Sequence, residues 1–255
     1  METKLLKFGE NRGILVEKGT KDIVLMIGGF ERCATTEKKF KILSDMLDFS
    51  SFRFDYDGIG LSDGDFSKST VMNLSNQFKN IILGLRQNGY SEFSIIAHSL
   101  GACVYAMLKD EISFKKTILL SPALNQKDLM RYWFTISNFK NSSDSTGIKI
   151  DWDNYKRYLD EDNFKKDCFR NNRMTKQNYI ASNYYLENSE IDYSKYINSA
   201  DNILHIHGEE DEKVPIKSLN VRFPNFIFVK KGDHDLERPD MITQWLDQAI
   251  DFINR

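Results

Sequence analysis

A serine is chemically idle at neutral pH unless a base removes its proton, so a serine, a histidine and a carboxylate that one fold could unite come first. Ser99 stands in Phe93-Ser94-Ile95-Ile96-Ala97-His98-Ser99-Leu100-Gly101-Ala102, where an apolar run passes directly into a helical pattern. So sharp a turn forces its apical residue into a strained backbone conformation, tolerable only if the residues two before and two after are small. Ala97 and Gly101 are small, so Ser99 Oγ is expected to stand out at the carboxyl end of a strand. The helix that follows aims free N–H groups and the positive end of its dipole at a reacting carbonyl, which makes Leu100 N–H one expected oxyanion donor. The competing reading is a serine that only caps the helix.

The base is expected at His234, in Lys230-Lys231-Gly232-Asp233-His234-Asp235, after the last strand pattern and before the last helical one. Loops at the carboxyl ends of parallel strands converge on one edge of a sheet, where they meet Ser99. A solvated loop histidine is the alternative. His98 is unsuited as base because its side chain should point away from Ser99; support of the turn, or a place at the substrate, is what remains for it. The imidazolium that a base becomes needs a negative neighbour. The loop His207-Gly208-Glu209-Glu210-Asp211-Glu212-Lys213-Val214-Pro215 supplies four acidic candidates, of which Asp211 is taken for its short reach; an acidic surface loop is the alternative.

A second oxyanion donor is expected from Gly28-Gly29-Phe30-Glu31-Arg32, after the apolar run 23–27. Glycine lets backbone approach a substrate closely, so Phe30 N–H is the paired donor and Gly29 lies against substrate, unless the segment is a plain tight turn. Arg32 is either a partner for a substrate carboxylate or phosphate or simply solvated.

These residues need a scaffold. Short apolar runs at 23–27, 51–55, 93–97, 117–120, 203–206 and 226–229 read as buried, mostly parallel strands. Between them, 38–49, 73–88, 100–110 and 241–253 place apolar residues at helical spacing. The alternation indicates an α/β protein. An antiparallel hairpin is expected from 4–8 and 13–17 through a turn at 10–12. The pattern breaks between about Asn125 and Ser199, which reads as an inserted helical cap, with 1–124 and 200–255 as the core. Trp133, Tyr155 and Tyr184 in the cap either line a substrate cavity or merely pack. The polar stretch 138–147 reads as a mobile loop of that cap.

Together these segments resemble the α/β-hydrolase superfamily, in its esterase, lipase and serine aminopeptidase-like branch with a helical lid. The likeness covers most of the chain. It is carried by Ala97-His98-Ser99-Leu100-Gly101, by 207–215 with its Val-Pro restart after Asp211, by Gly232 to His234, and by the chain order Ser, Asp, His. Phe54-Asp55-Tyr56-Asp57-Gly58-Ile59-Gly60-Leu61-Ser62 is similar to the family's strand-end turn, with Asp57 where that turn usually has Arg. The family has Gly at the position of Ala97. The resemblance implies a mostly parallel eight-stranded sheet with one antiparallel strand, helices on both sides and a cap on top. It names no substrate.

Composition excludes several classes. Thirty-five basic and 37 acidic residues leave a formal charge of −2, so no broad positive field invites nucleic acid. No segment approaches the roughly 20 apolar residues of a membrane span, and the N-terminus lacks a long apolar run, so a cytoplasmic protein is expected. Cys33, Cys103 and Cys168 have no metal-ligand spacing, and His205 and His207 read as same-face residues of one strand, so neither a metal nor an organic cofactor is expected. The expected activity is hydrolysis of a small or medium carboxylic ester through an acyl-Ser99 intermediate, of the EC 3.1.1 class. Acyl transfer or thioester cleavage on a carrier protein is the enzymatic alternative, and a non-catalytic sensor or scaffold the alternative of another class. Oligomeric state is not legible.

Overall fold

A computed structural model of the chain describes residues 1–141, 148–171, 173–198 and 202–255. Eight strands, β1 (Glu2–Phe8), β2 (Asn11–Glu17), β3 (Asp22–Ile27), β4 (Ser50–Asp55), β5 (Glu92–His98), β6 (Thr117–Leu120), β7 (Ile203–Gly208) and β8 (Asn225–Val229), form one sheet. Their spatial order is β1-β2-β4-β3-β5-β6-β7-β8. Only β2 runs against its neighbours; the other pairings are parallel.

Apolar residues alternate between two buried faces, as the pleat requires. Ile23, Leu25, Ile27, Phe93, Ile95 and Ala97 face α2 (Val71–Gln87) and α3 (Gly101–Leu108). Val24, Met26 and Ile96 face α1 (Lys38–Met46) and α7 (Pro239–Asn254), whose Trp245 is fully buried. By the same alternation His98 falls on the α1 and α7 side. The chain leaves β3 toward β4 on one side and returns to β5 on the other. Connections leaving β3 and β5 therefore diverge and open a crevice at their carboxyl ends, where ligands bind in such sheets.

The opening hairpin differs from the expected one in its turn. Phe8 pairs with Asn11, so Gly9 and Glu10 alone make the turn and Arg12 is a ladder residue. Gly9 has φ +62, the conformation a two-residue turn demands and glycine supplies without strain.

Between β6 and β7 lie α4 (Gln126–Asn141), α5 (Glu161–Cys168) and α6 (Ser182–Asn188). Arg131 clasps them: its guanidinium donates to both Glu161 oxygens, to Glu190 and to the Ser189 carbonyl. The segment is not purely helical, since Arg173–Met174 pairs antiparallel with Tyr179–Ile180. The stretch 138–147 is not wholly a loop either, because α4 runs on to Asn141; residues 142–147 lie outside the described residues. No described helix is long and apolar enough to cross a membrane.

Candidate active site

At the carboxyl end of β5 the backbone turns at Ser99, which adopts φ +53. A left-handed conformation costs a non-glycine residue about 1–2 kcal/mol, so surrounding structure has to hold it. Ser99 N–H donates to Leu120 O at 2.9 Å, and Ser99 O accepts from Ala102 and Ala123 N–H, both at 3.1 Å. A Cβ at Gly101 would fall 2.9 Å from the Ile27 side chain, so the turn needs the glycine it has. Leu100 N–H stands just before the first turn of α3, among the amides that a helix leaves without internal acceptors.

The sheet brings the other two groups to this turn. His234 Nε2 is 3.0 Å from Ser99 Oγ, and His234 Nδ1 is 2.8 Å from Asp211 Oδ2. A carboxylate oxygen only accepts, so Nδ1 carries the ring proton and Nε2 is free to accept from the hydroxyl. Asp211 is buried, and its Oδ1 accepts from Lys213 N–H at 3.0 Å and Val214 N–H at 2.8 Å. Those bonds fix the carboxylate and aim Oδ2 at the imidazole. The acid and base loops meet backbone to backbone: Glu210 N–H donates to Gly232 O at 2.8 Å, and a Cβ on Gly208 would fall 2.3 Å from that oxygen.

Two further histidines lie behind the acid. His207 Nε2 is 2.8 Å from the Val214 carbonyl and 3.5 Å from Asp211 Oδ2, and its Nδ1 is 3.0 Å from His205 Nε2. A carbonyl can only accept, so His207 Nε2 is protonated, its Nδ1 is bare, and His205 Nε2 is the donor between the rings. Burial pushes both imidazoles below the ordinary value, His205 further. Sequence alternation placed this pair on one face; its support of the Asp211 loop had no signal in the sequence.

The loop after β3 completes the crevice. Gly29 lies against the serine, since a Cβ there would fall 2.8 Å from Ser99 Cβ. Gly29 O accepts from Arg32 N–H at 3.2 Å, which makes 29–32 a turn, and Glu31 at its third position has φ +55. Positive φ at that position is what a type II turn requires and normally takes from glycine. The Phe30 ring packs 5.3 Å from Phe66 and 5.0 Å from Tyr184 of α6.

The other expected site residues make internal contacts. Arg32 is ion-paired while its side chain stays 37% exposed: its Nε donates to Glu37 Oε1 at 2.7 Å and a terminal nitrogen lies 3.2 Å from Asp235. Glu37 also pairs at 3.3 Å with Lys39, whose side chain is 0% exposed and reaches Glu237 at 3.3 Å. This partly buried cluster joins the loop after β3 to the loop carrying His234, and no local pattern marked Glu37. His98 supports that same loop, with Nε2 2.9 Å from the His234 carbonyl. Burial, Lys39 and His234 hold its pKa well below the ordinary imidazole value. Tyr155 is fully buried, packed on Tyr132 and Trp152 at ring distances of 5.5 and 5.1 Å. Trp133 Nε1 donates to Lys213 O at 2.6 Å, bracing the acid loop. Among the described residues no group of three or more His, Cys, Asp or Glu gathers as metal ligands would.

Solved structures superpose on the whole chain. Est1E from Butyrivibrio proteoclasticus with ferulic acid bound matches with a TM-score of 0.69 at 16% identity, over 99% of this chain and 100% of its own. An esterase from Pyrococcus furiosus gives 0.69 at 16%, over 100% and 91%. The mouse α/β hydrolase domain-containing protein 10 gives 0.62 at 17%, over 100% and 99%. The chain has the α/β-hydrolase fold. Neither a protein-family model nor a curated relative matches the sequence. Within the α/β-hydrolase fold, the turn after β4 buttresses the loop after β3. Asp55 accepts from Thr35 N–H at 3.1 Å and from Leu61 N–H at 3.0 Å. Asp57 accepts from Asn11 Nδ2 at 2.8 Å, so the position where Arg is usual is tied to β2 instead.

Proposed function

We propose that the protein is a serine hydrolase that cleaves small or medium carboxylic esters through an acyl-Ser99 intermediate. The observation that carries this reading is the unbroken hydrogen-bond path from Ser99 Oγ through His234 to Asp211, on a strained turn at the mouth of the crevice. As Ser99 Oγ attacks the ester carbonyl, His234 Nε2 accepts its proton, and Asp211 steadies the imidazolium. Leu100 N–H and Phe30 N–H receive the oxyanion. The tetrahedral intermediate collapses as His234 returns the proton to the leaving alcohol, and the acyl group stays on Ser99. Water then yields a proton to His234 and attacks the acyl carbon; collapse releases the acid and restores Ser99. The segment 125–199 serves as a cap over this crevice. That Est1E holds ferulic acid, and that the Pyrococcus protein is an esterase, support an ester as substrate class.

A fluorophosphonate probe tests the nucleophile. Wild-type protein is expected to label on Ser99 and to hydrolyse p-nitrophenyl butyrate, whereas folded Ser99→Ala loses labelling and at least about 10⁴-fold of turnover. Full activity in that variant, or a wild type inert to both reagents, overturns the reading.

A further inference from the structure

The loop after β3 and the hairpin of the intervening segment meet through one side chain. Glu31 Oε1 accepts from Asn178 Nδ2 at 3.0 Å and from Gln177 N–H at 3.3 Å, and Oε2 from Lys176 N–H at 3.3 Å. The Thr175 hydroxyl, bonded to the Glu31 carboxylate, lies also within reach of the Asn178 carbonyl. These donors are the tip of the hairpin between Arg173–Met174 and Tyr179–Ile180, well over a hundred residues away in sequence. Two backbone amides, an amide side chain and a hydroxyl thus cradle one carboxylate, as a built anion site does.

The residue that makes these bonds is the one in the left-handed conformation. Glutamate has no intrinsic reason to occupy the third position of such a turn, so its side-chain bonds are what hold it there. Phe30, whose N–H the proposed mechanism uses, is its neighbour, and the Phe30 ring is pinned from the same segment by Tyr184. We infer that Glu31 is a positioning residue: by binding the hairpin tip it fixes the peptide planes on either side of Phe30, so the oxyanion donor is correctly aimed only while the hairpin is docked. The inference rests on the esterase reading for its catalytic consequence, although the mechanical link does not.

Glu31→Gly removes the acceptor, with a residue that adopts φ +55 without strain, and Thr175→Val/Asn178→Ala removes the two side-chain donors and weakens the link from the other end. Both are expected to retain or raise Tm in the case of Glu31→Gly, and to change it little in the double variant. Both are expected to lower kcat for p-nitrophenyl butyrate by roughly tenfold to a hundredfold with KM nearly unchanged, as displacement of an oxyanion donor does. Combining them adds no further loss. Glu31→Gln, which keeps an acceptor oxygen, restores part of the rate. Hydrogen exchange reads the link without activity: residues 28–36 exchange faster when only Thr175 and Asn178 are changed. Unchanged exchange there, or faster exchange with wild-type kcat, overturns the inference. A wild type inert to substrate but with linked exchange overturns the esterase reading alone.

Discussion

Two sides of the crevice are held by different means. On one side Ser99, His234 and Asp211 stand at the ends of sheet elements and are fixed by buried backbone bonds, by the contact of Gly208 with the Gly232 carbonyl and by the histidines behind them. On the other, the loop carrying Phe30 and Glu31 owes its shape partly to a hairpin and a tyrosine outside the sheet. The Ser99–His234–Asp211 path is therefore held by the core, whereas the loop carrying Phe30 and Glu31 is also held by the intervening segment. A fold can in this way keep one side of a crevice rigid while the shape of the other follows the seating of a segment outside the sheet.

Asp211→Asn strikes the rigid side hardest. The amide keeps the shape but favours the wrong imidazole tautomer, so kcat for p-nitrophenyl butyrate is expected to fall by about 10⁴ while Tm moves little. That loss exceeds the one expected for Glu31→Gly, and equal losses would erase the contrast between the two sides.

Acid separates the regions more gently. All four histidines lie outside the intervening segment, and burial lowers the pKa of His98, His205 and His207. An imidazole held neutral in the native state takes a proton more readily when unfolded. The unfolded chain therefore binds more protons below the ordinary value near 6.5, and stability falls as pH drops through that window. Arg131 bonds lower the pKa of Glu161 and Glu190, which tie the segment together. A lowered carboxylate contributes its stability above the ordinary value and loses it only as pH falls further, through the folded one. Urea midpoints measured from pH 7.5 to 5 should thus decline before Glu161 and Glu190 are protonated. His205→Gln, whose amide nitrogen can replace Nε2, should flatten that decline by at most about 1.4 kcal/mol per pH unit. A flat wild-type profile above pH 5 would contradict the assignment of neutral buried imidazoles.

The fold and the meeting of Ser99, Asp211 and His234 were legible because each follows a strand at the carboxyl edge. Ser99 follows β5, Asp211 follows β7 and His234 follows β8, so strand periodicity and chain order brought their loops together, and short reach picked Asp211 from four acidic residues. Arg32 was not legible: the residue type suits substrate anions and internal carboxylates equally, and one of its partners, Asp235, is on a distant loop. Tyr155 shows the same limit for aromatics, whose identity does not tell a cavity wall from a packed core. Glu31 was hidden most deeply. Nothing near it signals a hairpin tip beyond the last residues of α4, and its positive φ contradicts what its residue type prefers.

The carbonyl partners of the rings carry one more consequence. His98 and His207 each donate from Nε2 to a main-chain oxygen, and His205 donates from Nε2 to its neighbour, whereas His234 bears its hydrogen on Nδ1. The hydrogen-bond geometry therefore divides the imidazoles three to one by tautomer, and a ¹⁵N–¹H correlation spectrum of the resting protein should single out His234 by its inverted nitrogen pattern, with no mutation and no substrate.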